Sequence, residues 1–236
     1  MSLAEVLRVS GVSKKYGGLV ALESVSFSIR PGEVLGLIGP NGAGKTTLFE
    51  CLAGVLPQGS GTRLDPAQAF YMPDAIAPWP AQTVRFGLEY VVGFFGGRAS
   101  LLDEVIQSLS LGPLMASRIG ELSKGQRKRV LLAMGLLSPQ PLLLVDEPFD
   151  GLDLKQSREV AATLRAHAAA GRTLFLSIHQ ISDAARLCDR FVLLSGGRVC
   201  GEGTIEELTA AAAARHPERA HGYRPEGLEE VFLALT

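Results

Sequence analysis

The chain carries almost no excess charge of either sign. Of its 236 residues, 23 are Lys or Arg and 24 are Asp or Glu, a net charge of −1. A balance this even asks for no nucleic-acid partner. Cysteine is scarce: Cys51, Cys188 and Cys200 stand far apart, with no Cys-x-x-Cys pair. An odd count without metal spacing reads as reduced thiols in a cytosolic chain. Long apolar runs are missing too. Mean hydropathy is +0.21, high for a soluble protein, yet the longest uncharged stretch, residues 130–145, is broken by Ser138-Pro139-Gln140-Pro141. A membrane span needs about 20 mostly apolar residues, so none is read. The opening Met1-Ser2-Leu3-Ala4-Glu5 puts no basic segment ahead of an apolar one, so no secretory signal is expected. No internal repeat is found.

What is present is ordinary globular material. Hydrophobic residues make up 47 % and charged residues 20 %, which excludes wholesale disorder. The length suits one large α/β domain, or one domain with a small subdomain. Residues 7–9 and 24–29 read as strands, and Arg30-Pro31-Gly32-Glu33 as the turn before the next. The apolar run 34–38 is a buried strand, and 46–53 a helix stopped by Gly54. Short strands are expected at 62–64 and 69–72. Three helical patterns follow, 83–95, 100–109 and 123–137, the best candidate for a helical insertion. Strands at 141–145, 173–178 and 191–195 alternate with a helix at 155–170, which implies a mainly parallel sheet with helices on both faces. Residues 210–214 read as a helix end, leading into a polar linker that runs through Pro225. Leu228, Val231, Phe232 and Leu235 form one apolar stripe at helical spacing.

Gly39-Pro40-Asn41-Gly42-Ala43-Gly44-Lys45-Thr46 fits the phosphate-loop pattern GxxxxGK[ST], and Thr47 follows it. A triphosphate is a dense anion. Glycines let backbone N–H groups approach its oxygens, and the helix N-terminus adds its positive end. Lys45 is expected on the terminal phosphates and Thr46 on Mg²⁺. A plain Gly-rich turn leaves the lysine without a purpose. The strand Leu142-Leu143-Leu144-Val145 ends in Asp146-Glu147. Laid parallel to 34–38, it brings Asp146 beside Thr46, to hold Mg²⁺ directly or through water, and turns Glu147 toward the γ-phosphate as the group that polarises water. Read alone, two acids after a strand also cap the next turn. Leu122-Ser123-Lys124-Gly125-Gln126 opens a helix as a capping box, and this holds whatever else the segment does.

These stretches, with Gly151-Leu152-Asp153 and Ser177-Ile178-His179, resemble an ABC transporter ATP-binding subunit in order and spacing over nearly the whole chain. The expected fold is a P-loop NTPase core with a mainly parallel sheet, a reduced antiparallel β-subdomain and a helical insertion at about 83–137. All of it belongs to one ATP-binding domain, ending in a helix at about 227–236. The resemblance implies that Tyr16 stacks on adenine and that His179 touches the γ-phosphate. It further implies that Ser123, Gly125, Gln126 and Asp153 face the opposite subunit of a head-to-tail dimer, homomeric or heteromeric, which holds two ATP molecules. It implies a separate membrane permease as partner, hence a peripheral place on the cytoplasmic face of the membrane. Residues 227–236 resemble the drug-export and antibiotic-resistance type.

The sequence also departs from the family. Lys124 stands where Gly is common in the signature. Tyr71-Met72-Pro73-Asp74 has Asp where the family carries the Gln that touches Mg²⁺ and communicates with the permease, so Asp74 inherits that place. The stretch from Lys45 to Asp74 is shorter than the family's. Arg127-Lys128-Arg129 reads as the solvated face of the signature helix. Competing readings are a soluble ABC ATPase acting on DNA or ribosomes, an ATP-binding regulatory module with weak turnover, and a P-loop kinase or GTPase, which leaves the signature unexplained.

Overall fold

The computed structural model describes residues 6–57, 59–74, 76–96, 99–215 and 227–235. A six-stranded sheet organises the chain. In spatial order its strands are β4 (Ala69–Met72), β5 (Leu142–Asp146), β6 (Thr173–Ile178), β3 (Val34–Ile38), β7 (Arg190–Ser195) and β8 (Arg198–Gly203). The first five are parallel, and β8 returns antiparallel to β7 at the edge. A separate hairpin, β1 (Leu7–Tyr16) with β2 (Leu19–Ile29), makes the small antiparallel sheet. Beyond these two strands, among the described residues, only an isolated bridge, Ser13 with Ser60, extends it. This is the trimmed β-subdomain that the short 45–74 segment predicts. Residues 62–64 do not form the expected strand, although Thr62 N–H still donates to Ser10 C=O at 3.0 Å.

Strands β3, β5 and β6 are buried on both faces, so their sequences are near-continuous apolar runs. Alternate side chains enter two different cores. Leu35, Leu37, Leu142, Leu144 and Phe175 pack with α1 (Lys45–Leu52) and the hairpin. Leu143, Val145, Leu174 and Leu176 pack on the other face, with α5 (Leu154–Ala169) and the helices of the insertion. That insertion holds α2 (Val84–Phe95), α3 (Leu102–Ser108) and α4 (Lys124–Leu137). Thr83 caps α2 by accepting from Phe86 N–H at 3.2 Å. Ser123 and Gln126 complete the capping box of α4. Helix α6 (Ile181–Leu187) and strand β8 lie beyond the sequence reading, while β1, β2 and α7 (Ile205–Arg215) exceed it; α7 begins five residues before the expected helix end. The stripe at the C-terminus is α8 (Leu228–Leu235), with Leu228, Val231 and Leu235 buried. The expected linker, from 216 through Pro225, and Thr236 lie outside the described residues.

The basic run of α4 corrects the sequence reading. Lys128 and Arg129 are buried, not solvated. Arg129 donates to the carbonyls of Leu109 (2.9 Å) and Ser110 (3.3 Å), and Arg127 to that of Leu122 (3.0 Å). A charged triplet on a helix faces water only if no backbone carbonyls wait beside it. Here loop ends supply them.

Candidate nucleotide site

The carboxyl ends of the parallel strands meet one open cavity of about 690 Å³, the place where open α/β sheets bind ligands. The loop after β3 forms its floor. Gly44 precedes α1 with φ 104°, and a Cβ there sits 2.8 Å from the carbonyl oxygen of Ala21. Only glycine accepts both conditions, so the loop can turn its backbone inward before the helix starts. Pro40, Asn41, Gly42, Gly44, Lys45, Thr46 and Thr47 line the cavity. Gly39 and Ala43 lie behind this surface; Ala43 N–H is tied to Pro40 C=O at 3.1 Å.

Lys45 is nearly buried and has partners of its own. Its ammonium donates to the carbonyl of Gly39 at 2.8 Å and of Pro40 at 3.3 Å, and lies 3.9 Å from Glu147 Oε1. The lysine is therefore parked on its own loop, within reach of a phosphate that offers a stronger acceptor.

Opposite stands the end of β5. Thr46 Oγ1 donates to Asp146 Oδ2 at 2.8 Å. Strand β6 lies between β3 and β5, so the pair meets across the sheet edge rather than between neighbouring strands. Asp146 is 2 % exposed, and its Oδ1 accepts a hydrogen bond from Ser177 Oγ. Ser177 Oγ in turn accepts from Glu147 N–H at 3.0 Å. Glu147 has φ 49°, a strained conformation for a residue with a side chain and of the kind held at functional sites. Its Oε2 accepts from His179 N–H at 3.1 Å. Burial pushes the Glu147 carboxyl above the usual glutamate range; Lys45 pulls it back and the Asp146 charge pushes it further up. Ser177 belongs to a motif read in the sequence, but its place beneath both acids did not follow from it.

Thr46 and Asp146 are hard oxygen donors side by side, the set that suits Mg²⁺, which keeps most of its shell for phosphate and water. Among the described residues no group of three or more His, Cys, Asp and Glu could hold a metal ion. Asp74 also lines the cavity, but its Oδ1 is engaged by Lys128 Nζ at 2.5 Å.

Tyr16 stands at the cavity rim, 45 % exposed, with Lys14 Nζ 5.0 Å from its ring centroid. His179 lines the cavity as well. The signature residues do not join them. Ser123 and Gln126 satisfy each other in the capping box (2.9 and 3.3 Å). Gly125 abuts the loop after β5, where a Cβ would sit 2.4 Å from Gly151 C=O. Lys124 pairs with Asp150. Asp153 caps α5, accepting from Gln156 N–H at 2.8 Å. None of Ser123, Gly125, Gln126 or Asp153 lines the cavity of its own chain.

Beside the cavity, past Asp74, is an apolar groove of about 300 Å³ between the 70–79 segment, α2 and α4. Phe86, Tyr90 and Phe94 stack along α2 at centroid spacings of 5.9 Å, and Trp79 packs on Tyr90 at 4.9 Å. All four are exposed.

Known proteins share this fold. A family profile described as ABC transporter matches residues 22–150. The chain is 34 % identical to the Nod factor export ATP-binding protein I of Rhizobium etli, over 94 % of this chain and 75 % of that protein. It is 30 % identical to an uncharacterized ABC transporter ATP-binding protein of Methanocaldococcus jannaschii, over 86 % and 79 % of the two chains. A solved ATP-binding subunit of an ABC transporter superposes with a TM-score of 0.83 at 27 % identity, covering 98 % of this chain and 99 % of its own.

Proposed function

The chain belongs to the ABC transporter family as one of its ATP-binding, ATP-hydrolysing subunits, and from that premise we propose that it powers export through a separate membrane permease. Export follows the printed name of the Rhizobium relative. Among the described residues no helix is long and apolar enough to cross a membrane; on this reading the permease supplies the path for cargo. On this reading the chain is a single ATP-binding domain, with 83–137 as its helical subdomain and 227–236 as its closing helix, working peripherally on the cytoplasmic side.

One observation carries the catalytic part: Thr46, Glu147 and His179 line the cavity that the phosphate loop floors, and Asp146 stands just behind its wall, bonded to Thr46. Phosphate oxygens draw Lys45 from the Gly39 and Pro40 carbonyls. Tyr16 offers a face for the adenine. Thr46 and Asp146 would hold Mg²⁺, which supplies charge neutralisation on the phosphates. Glu147, ionised, orients a water and accepts its proton. The water oxygen bonds the γ-phosphorus, the bond to the bridging oxygen breaks, and ADP and phosphate result. His179, whose N–H already fixes Glu147, turns its ring to the γ-phosphate. Most of the catalysis is positioning and charge neutralisation.

The dimer is what the family resemblance implies, and the cavity's lining supports it. Ser123, Gly125 and Gln126 sit outside their own chain's cavity, which supports a head-to-tail pair in which each signature helix closes on the ATP of the other subunit. The aromatic groove beside Asp74 is the surface we assign to the permease. The test is ATP hydrolysis by the purified chain, alone and with the permease that copurifies. We expect Mg²⁺-dependent turnover that Lys45→Ala abolishes and the permease changes. Absence of turnover with the permease present would contradict the proposal.

A further inference from the structure

Resting on the ATPase reading above, we propose that Asp74 acts through Lys128: the two form a strap that fixes the signature helix to the catalytic end of β5, and both are positioning residues. Lys128 is 3 % exposed. An ammonium has three N–H donors, and this one has three oxygen partners: Asp74 Oδ1 at 2.5 Å, Asp146 C=O at 3.1 Å and Asp74 C=O at 3.4 Å. One side chain thus ties together three segments, namely α4, the loop that follows β4, and the last residue of β5.

Each charge requires the other. A buried ammonium without a counter-ion is costly. Asp74, on the cavity wall, would otherwise add an uncompensated carboxylate close to Asp146 and Glu147, facing a polyphosphate. Paired, it presents little net charge to the nucleotide. The strap also sits where position matters. Lys128 lies two residues beyond Gln126, the end of the signature loop, and its second anchor is the carbonyl of the residue whose carboxylate takes the Thr46 hydroxyl. Displacing either anchor shifts Asp146 and Glu147 relative to the signature residues.

This reverses what the resemblance alone implies, namely that Asp74→Gln restores a usual group and is harmless. In this chain the amide leaves the buried Lys128 ammonium without its counter-ion. The experiment compares Asp74→Gln, Lys128→Gln and the double variant Asp74→Gln/Lys128→Gln. It reads kcat and KM for Mg-ATP, the affinity for a fluorescent ATP analogue in EDTA, and the melting temperature. We expect Asp74→Gln to lower kcat by about 10²-fold, the scale for misplacing a catalytic group by about 1 Å, with KM little changed. Lys128→Gln should weaken analogue binding in EDTA by about tenfold, because Asp74 then faces the phosphates uncompensated. The double variant should recover most of both losses, as amides at the two positions can bond each other. Three results overturn the proposal: Asp74→Gln with wild-type kcat, a double variant no better than its worse parent, or a double variant that regains melting temperature without kcat. If Asp74→Gln fails to fold, Lys128→Gln and the double variant still decide. A wild type that hydrolyses no ATP would refute the ATPase reading, while binding in EDTA continues to test the strap.

Discussion

Thr46 and Asp146, 100 residues apart in the chain, meet at 2.8 Å through a hydroxyl-to-carboxylate hydrogen bond at the edge of the sheet. This contact joins the phosphate loop to the end of β5, where the proposed metal would sit. Because Mg²⁺ would sit where the two oxygens now bond each other, Thr46→Val should raise the Mg²⁺ concentration needed for half-maximal turnover by about tenfold or more. Chelation with EDTA should stop turnover altogether. An unchanged Mg²⁺ titration in Thr46→Val would remove the metal from this position.

Ser177 supports both acids from below, donating to Asp146 and accepting from Glu147 N–H. Ser177→Ala leaves a buried carboxylate oxygen and a backbone N–H without this partner. Turnover should drop by about 10–100-fold, the range for losing an outer-shell contact of a metal ligand, while ATP affinity stays within a few-fold. Steady-state kinetics paired with equilibrium binding separates the two.

Glu147 also makes a prediction about stability. Its carboxyl is held above the usual glutamate range, chiefly by burial, so the ionised form destabilises the fold of the free chain. That cost is full at pH values above the folded pKa and vanishes below the unfolded one. Glu147→Gln carries no such cost at any pH. In the absence of nucleotide the variant should therefore melt above wild type at neutral pH, and the gap should close as pH is lowered through the folded pKa. Calorimetry across that range measures it, and a gap that widens toward acid would show the sign to be wrong.

The groove predicts a separation of functions. Phe94 is 69 % exposed and ends the stacked row on α2, away from every catalytic group. Phe94→Asp should leave ATP turnover of the isolated chain at the wild-type level and weaken copurification of the permease. Undiminished copurification would move the docking surface elsewhere.

How much of this was legible depended on whether the signal was local. Val34–Ile38, the glycine loop and the acids at the end of β5 are local, because a strand buried on both faces must be apolar throughout and a phosphate loop must be rich in glycine. The hairpin β1–β2 was only half visible. Register shifts between Val9 and Lys15, together with Ser24 at φ 51°, interrupt its alternation. Strand β8 is an edge strand of mixed burial containing Gly201, so it offers no apolar run. Helix α6 has seven residues and two buried side chains, too few to set a period. Lys128 misled for a different reason. A lysine between two arginines on a helix looks solvated, and its counter-ion lies 54 residues away. Ser177 and the aromatic groove likewise depend on residues that only the tertiary fold assembles.

The most direct test of the central claim is single-turnover hydrolysis of Mg-ATP by Glu147→Gln beside wild type, with ATP binding measured on the same samples. With Glu147 as the acceptor of the water proton, binding should stay within a few-fold while hydrolysis slows by about 10²-fold or more, and the variant should persist as an ATP-bound dimer. Hydrolysis at the wild-type rate by Glu147→Gln would contradict the assignment and with it the mechanism built on this site.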